Sequence, residues 1–296
     1  MNFRGIFPVL QTSLTKDGEL DIVSLKREVN FCIQAGAHGL VYPVLGSEFQ
    51  FLTEEERHLL VEVVVNEANG RLPVVVGVAG KTKAEAVIHA KHAAQIQADA
   101  VIALPPSSGT VEEVRDYYEE IAQTARRPVF IQHTHAGIDA PFLKSLLKEI
   151  EFVNYIKEES YPSAHQISAV LEKVGDSCLG VFGGAHGRWM LSELHRGASG
   201  FMPAVEAIDV HVQIWDAYQS GDEAGARKIF NQLLPLINLI TLLGLCVCKE
   251  VLIMRNVFES AVMRMPDTVS LDAEDRRELK IIIEDLKPLF RVPNLA

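Results

Sequence analysis

The chain has 296 residues, 48% of them apolar and 23% charged, an ordinary globular composition that excludes disorder as the main state. Twenty-eight Lys and Arg against 39 Asp and Glu leave a net charge of −11. With no basic run, a nucleic-acid backbone would repel the chain, while a small anionic substrate stays open because local donors override the global sign at close range.

The first strand candidate is Gly5–Leu14 and the second is Gly39–Val44. Thr53 and Glu56 then show capping-box spacing, in which each side chain takes up a backbone N–H that the first helical turn leaves over. Strand Pro73–Ala79 is followed by Thr82 and Glu85, and strand Ala100–Leu104 by Thr110 and Glu113, with the same spacing. Strands Pro128–Thr134, Val153–Glu159, Cys178–Gly183 and Gly200–Ala204 come next, with helices starting near Ala140, Ala164, Arg188 and Ile208. Runs such as Val74-Val75-Val76 and Val129-Phe130-Ile131 are wholly apolar, the pattern of a parallel sheet covered on both faces. Strand starts fall roughly 22 to 34 residues apart, the length of one βα unit.

Eight such units without a linker predict an α/β fold, a (β/α)8 TIM barrel, over residues 1–221. A doubly wound open sheet is the alternative, but no G-x-G-x-x-G follows the first strand. Past Asp222 the strands stop. Glu223–Leu245, Val247–Asn256 and Asp272–Leu289 read as helices, the first with an apolar stripe of Phe230, Leu233, Leu234, Ile237 and Ile240. Residues 222–296 are therefore expected to form a C-terminal helical extension.

Of the four cysteines, Cys246 and Cys248 form a C-x-C within an apolar helical stretch. A metal site needs two more close ligands, and none are near in sequence, so buried thiols are expected and no metal. The start of the chain lacks an apolar core long enough for a signal peptide, and the longest apolar run, Leu233–Cys248, is too short to span a membrane. The expectation is a cytoplasmic protein.

In a (β/α)8 barrel the reacting groups lie at the C-terminal ends of the strands. Strand two leads to Leu45-Gly46-Ser47-Glu48, strand five to Gln132-His133-Thr134-His135 and strand six to Lys157-Glu158-Glu159. Strand seven ends at Gly183-Gly184 and strand eight at Phe201-Met202-Pro203. Alternation puts Tyr155, Lys157 and Glu159 on one strand face. A lysine pointing into a barrel is desolvated, and its neutral amine can attack a carbonyl to form a Schiff base. The residues alone leave open a lysine that only pairs with Glu48 or Glu159.

Several segments together resemble the dihydrodipicolinate synthase / N-acetylneuraminate lyase family of class I aldolases and dehydratases. They are Gly5-Ile6-Phe7-Pro8-Val9, Asp17-Gly18-Glu19-Leu20-Asp21, Thr53-Glu54-Glu55-Glu56-Arg57, Tyr155-Ile156-Lys157-Glu158, Gly197-Ala198-Ser199-Gly200 and Lys249-Glu250-Val251-Leu252. The resemblance runs from about Arg4 to Leu289. It implies that Lys157 stands in the place of the family's Schiff-base lysine, that no cofactor is needed and that the protein is a homotetramer built as a pair of dimers.

The departures bear on the reaction. The family's G-T-T-G-E loop is here Val44-Leu45-Gly46-Ser47-Glu48, leaving Ser47 and backbone N–H groups beside Gly46 to hold a 2-oxo acid carboxylate; Ser47 could instead only cap a turn. The strand-five tyrosine of the family's proton relay is matched by Gln132, whose amide can hold a water or a substrate oxygen but does not exchange protons as a phenol does. The second relay tyrosine falls within Pro105-Pro106-Ser107-Ser108, and the family arginine for a second carboxylate within Ala136-Gly137-Ile138. These changes argue against dihydrodipicolinate synthase activity itself. They are similar to the 2-keto-3-deoxy-sugar-acid dehydratase branch, such as L-2-keto-3-deoxyarabonate dehydratase, although Leu45-Gly46 replaces that branch's Asn-Phe.

His133 and His135 form an H-x-H at the end of strand five. One could serve as general acid–base, or both could bond locally. The expected set is thus Lys157, Gln132 and His133 for catalysis, with Gly46, Ser47, Gly184 and Met202 binding the substrate. The expected activity is dehydration of a 2-keto-3-deoxy sugar acid. A pyruvate-dependent aldolase or condensing enzyme, or a non-catalytic 2-oxo acid binder, is the alternative.

Overall fold

The computed structural model describes residues 2–106, 109–134 and 138–292. His135, with Ser107, Ser108, Ala136 and Gly137, lies outside the described residues. Among the described residues eight strands alternate with eight α-helices, and three α-helices follow: the element order of a (β/α)8 barrel with a helical C-terminal part. The chain divides into two compact units, Met1–Phe7 with Pro73–Met202, and Pro8–Leu72 with Pro203–Ala296.

The first unit holds β1 (Gly5–Ile6), β3 (Val74–Gly77), β4 (Ala100–Ala103), β5 (Val129–His133), β6 (Val153–Glu158), β7 (Gly180–Gly183) and β8 (Gly200–Phe201). Each is hydrogen-bonded in parallel to its neighbour in the series β3 to β8, and β8 pairs with β1. Helices α3 (Lys83–Gln95), α4 (Val111–Ala125), α5 (Ala140–Glu149), α6 (Ser163–Val174) and α7 (Met190–Leu194) connect them. The centre of this unit is aromatic. Phe130 stacks on Tyr155 with ring centroids 4.5 Å apart, Phe182 meets Phe130 edge-on at 5.4 Å, and Phe3 and Phe7 pack against the group. Since strand side chains repeat every second residue, the next residues on the same faces of β5 and β6 are Gln132 and Lys157. An apolar floor therefore lies one layer below two polar groups.

The second unit holds α1 (Ile22–Gln34), β2 (Leu40–Tyr42), α2 (Glu54–Ala68), α8 (Ile208–Gln219), α9 (Glu223–Leu243), α10 (Cys246–Met254) and α11 (Ala273–Leu286). Val9 bridges both Val41 and Ala204 in parallel. The ends of β1 and β8 are shorter than the sequence suggests because Pro8 and Pro203 supply no N–H to a ladder. Pairing resumes past them, with Val9 N donating to Pro203 O at 2.8 Å and Leu10 N to Val41 O at 3.0 Å.

The capping boxes at Thr53 and Thr110 form in full. At Thr82 only half forms: Thr82 Oγ1 accepts from Glu85 N at 3.2 Å, while Glu85 Oε2 accepts from Lys81 N at 2.7 Å. Cys32, Cys246 and Cys248 are buried thiols. No helix among the described residues is long and apolar enough to cross a membrane.

Candidate active site

Lys157 is buried near the end of β6, with its ammonium 3.1 Å from Glu159 Oε2. Glu159 lies just past the strand, where its backbone N–H donates to His133 O at 2.7 Å and ties it to β5. Three donors converge on its carboxylate. Gln132 Nε2 donates to Oε2 at 2.8 Å, Lys157 approaches the same oxygen, and the Ala185 N–H donates to Oε1 at 3.1 Å. Burial alone would raise this carboxyl's pKa. Lys157, then the Gln132 amide and the Ala185 N–H, outweigh it, and the group is held below its usual range. The result is an ionised carboxylate fixed beside the Lys157 ammonium.

Gly184 is part of this arrangement. A Cβ there would fall on Glu159 Oε1 and lie 2.5 Å from its Cδ, so only glycine leaves the carboxylate its seat. Met202 donates its N–H to Gly183 O at 2.9 Å and is buried at the end of β8.

His133 stands one residue beyond Gln132 and so faces the other side of the sheet from Lys157. Register pairs Gln132 with Lys157 and His133 with Glu158. There His133 Nδ1 lies 2.7 Å from Glu158 Oε2 and 3.2 Å from Ser160 Oγ, while Glu158 Oε1 accepts from Ser160 N at 2.7 Å. The same side carries Glu193, on α7. Its Oε1 accepts from Ser163 Oγ at 2.5 Å, and its Oε2 is lodged where a Gly183 side chain would begin. Burial pushes the Glu193 carboxyl up to about 7; the Ser163 hydrogen bond offsets part of this, and Glu159 and Glu158 add to it.

Gly46 and Ser47 belong to the second unit, in a short turn after β2. Ser47 Oγ donates to Leu10 O at 2.6 Å and accepts from Val44 N at 3.2 Å. Its hydroxyl thus bonds the backbone of Leu10, past β1, and that of Val44, at the start of its own turn. Gly46 packs closely, since a Cβ there would be 3.2 Å from Val9 Cγ1. Glu48, next in line, is in the left-handed region at φ 58°. It binds Lys249 Nζ at 2.7 Å and the N–H groups of Arg264 and Met265 at 2.8 Å each. The partner of Glu48 is therefore Lys249, and that of Lys157 is Glu159.

Glu159 is the group that sequence reasoning left in the background, although alternation from Lys157 already placed it on the right face. Glu193 carried no motif at all.

A model of the dihydrodipicolinate synthetase family matches residues 2–286. The chain belongs to that family. Its relatives in the dihydrodipicolinate synthetase family include L-2-keto-3-deoxyarabonate dehydratase of Azospirillum brasilense, 31% identical over 295 residues, covering 97% of this chain and 95% of the relative. A probable 2-dehydro-3-deoxy-D-pentonate aldolase, YjhH of Escherichia coli, is 29% identical over 79% of this chain and 80% of its own. Among solved structures of the family, Escherichia coli YagE in complex with pyruvate superposes with a TM-score of 0.88 at 24% identity, covering 97% of this chain and 99% of that one. The named family relatives are dehydratases, aldolases and synthases, and this chain is a lyase of the family.

Proposed function

We propose that the protein forms a Schiff base between Lys157 and a 2-oxo acid and dehydrates a 2-keto-3-deoxy sugar acid. The observation that carries this reading is the buried Lys157 paired with Glu159, 3.1 Å apart, with Gln132 bound to the same carboxylate. Proton transfer from Lys157 to the adjacent Glu159 frees the amine to attack the C2 carbonyl, and loss of water gives a protonated imine. The Glu159 carboxylate then removes a C3 proton, leaving an enamine. Expulsion of the C4 hydroxyl, protonated by the same carboxyl as it leaves, completes the elimination. Water adds to the imine carbon, releases the product and restores Lys157. One carboxyl serves as base and then acid, so no relay tyrosine is needed. Gln132 fixes its orientation.

His133, engaged by Glu158 on the opposite strand face, is assigned to holding the ends of β5 and β6 together. Gly184 gives Glu159 room, and Met202 supplies apolar lining. Ser47 keeps its own turn in shape. The dehydratase relative supports the choice of reaction. A homotetramer goes with the same reading; exposed Leu242, Val23 and Tyr161 are side chains that subunit contacts would cover, and sedimentation showing only monomer would remove this part.

The test is a panel of 2-keto-3-deoxy acids with products identified by NMR, alongside borohydride trapping with pyruvate. The adduct is expected on Lys157 and absent in Lys157→Ala. Loss of water without pyruvate release is the expected turnover. Pyruvate and an aldehyde as main products would replace dehydration with the aldolase reaction and leave Lys157 in place.

A further inference from the structure

We propose that the turn after β7, Gly184-Ala185-His186, is a positioning device that fixes the Glu159 carboxylate against Lys157. The inference rests on the acid–base role of Glu159 proposed above.

The backbone points to it. Ala185, His186 and Gly187 are all left-handed, with φ of 48°, 57° and 73°, and only the last is a glycine. A residue with a Cβ adopts that region at a cost, and persists there only where its surroundings impose it. The turn is closed by Gly187 N donating to Gly184 O at 2.8 Å and Arg188 N donating to Ala185 O at 3.0 Å. In this conformation the Ala185 N–H points at Glu159 Oε1, 3.1 Å away. Gly184, one residue earlier, leaves the space in which that carboxylate sits.

The two oxygens of Glu159 are thus held from two sides. Gln132 and Lys157 take Oε2, and the strained turn takes Oε1. A carboxylate that moves protons must be held within hydrogen-bond reach of its donor and acceptor. Without the Ala185 N–H, Glu159 keeps one anchored oxygen and can rotate about it. The charged group facing it is Lys157 from β6, and Gln132 from β5 is neutral; Glu193 from α7 and Glu158, the latter bound to His133, lie on the other strand face, and Glu193 feels the Glu159 charge from there.

Ala185→Gly separates this role from a merely structural one. Glycine accepts the left-handed conformation freely, so the unfolding midpoint should stay or rise. The N–H is retained but a freer backbone holds it less firmly, which should lower kcat by about tenfold with KM little changed, and the acid limb of kcat/KM should move to higher pH as the hydrogen bond to the ionised form weakens. Gly184→Ala displaces the carboxylate outright; its kcat should fall at least as far, while borohydride still traps pyruvate on Lys157. Wild-type kcat with an unmoved acid limb in Ala185→Gly overturns the positioning role. Wild-type turnover in Glu159→Gln overturns the acid–base reading instead, leaving the turn nothing to position.

Discussion

Lys157 and Lys249 both sit beside a carboxylate, and their surroundings give them different work. Lys249 is fully buried and donates to Glu48 Oε2 and Val262 O, each at 2.7 Å. Burial lowers its pKa, and Glu48 pulls it back up. Removing this ammonium strands a buried carboxylate, so Lys249→Met should cost about 3–5 kcal/mol of stability, and Glu48→Gln added to it should restore part of the loss. Lys157→Met should cost much less, because Glu159 keeps Gln132 and Ala185 as donors and its side chain is 18% exposed; turnover should vanish. Urea unfolding of the three variants checks both. Lys157 was legible in the sequence because a charge interrupts an apolar strand, and alternation alone linked it to Glu159. The partner of Glu48 was not, since Lys249 lies 201 residues away. Nor was the surrounding of His133: its type suggested chemistry, but which groups meet it depends on the register between β5 and β6.

At the scale of elements, local rules carried most of the reading. Thr110 Oγ1 accepts from Glu113 N at 3.2 Å and Glu113 Oε2 accepts from Thr110 N at 2.8 Å, as the spacing predicts. Thr110→Ala should therefore lower stability by about 1 kcal/mol, read from the denaturation midpoint. A drop as large as that of a core truncation would mean the threonine does more than cap α4. The boxes at Thr53 and Thr82 look the same in sequence. They differ in the fold because the backbone before α3 offers Lys81 N to Glu85 instead of Thr82 N. Strand existence and order were legible from β-branched runs. Strand ends were not, since Pro8 and Pro203 interrupt ladders that resume beyond them. The link between α8 and the end of α10 was also hidden: Arg255 binds both oxygens of Asp209 at 2.7 and 2.8 Å, and its guanidinium lies over the rings of Phe31 and Phe290. Nothing in the spacing of Asp209 and Arg255 announces such a pair.

For the molecule as a whole, an acidic chain that buries several carboxyls should pay a stability penalty at neutral pH. Burial pushes Glu193 and Glu206 each up to about 7, and raises Glu28 well above its ordinary range. Below about 4.5 these groups are neutral in both folded and unfolded chains. Between about 4.5 and about 7 the unfolded chain ionises first and binds fewer protons than the native state. The contributions of Glu193 and Glu206 must then lower stability as pH rises through this window, and level off above it. Glu159 acts in the opposite sense: its folded pKa is lowered, so its contribution is present above the unfolded value and lost as pH falls. A carboxyl held at about 7 withholds on the order of 3 kcal/mol at neutral pH. Glutamine keeps the shape and cannot ionise. Glu193→Gln should therefore gain on the wild type steadily from about pH 4.5 to about 7, with a constant difference beyond. Ser163 keeps an acceptor in the variant, because the amide oxygen can take the place of Oε1. Unfolding free energies measured across this range decide the matter: a difference independent of pH would mean that Glu193 is ionised in the native protein, and that its Oε2, lodged against Gly183, finds compensation elsewhere.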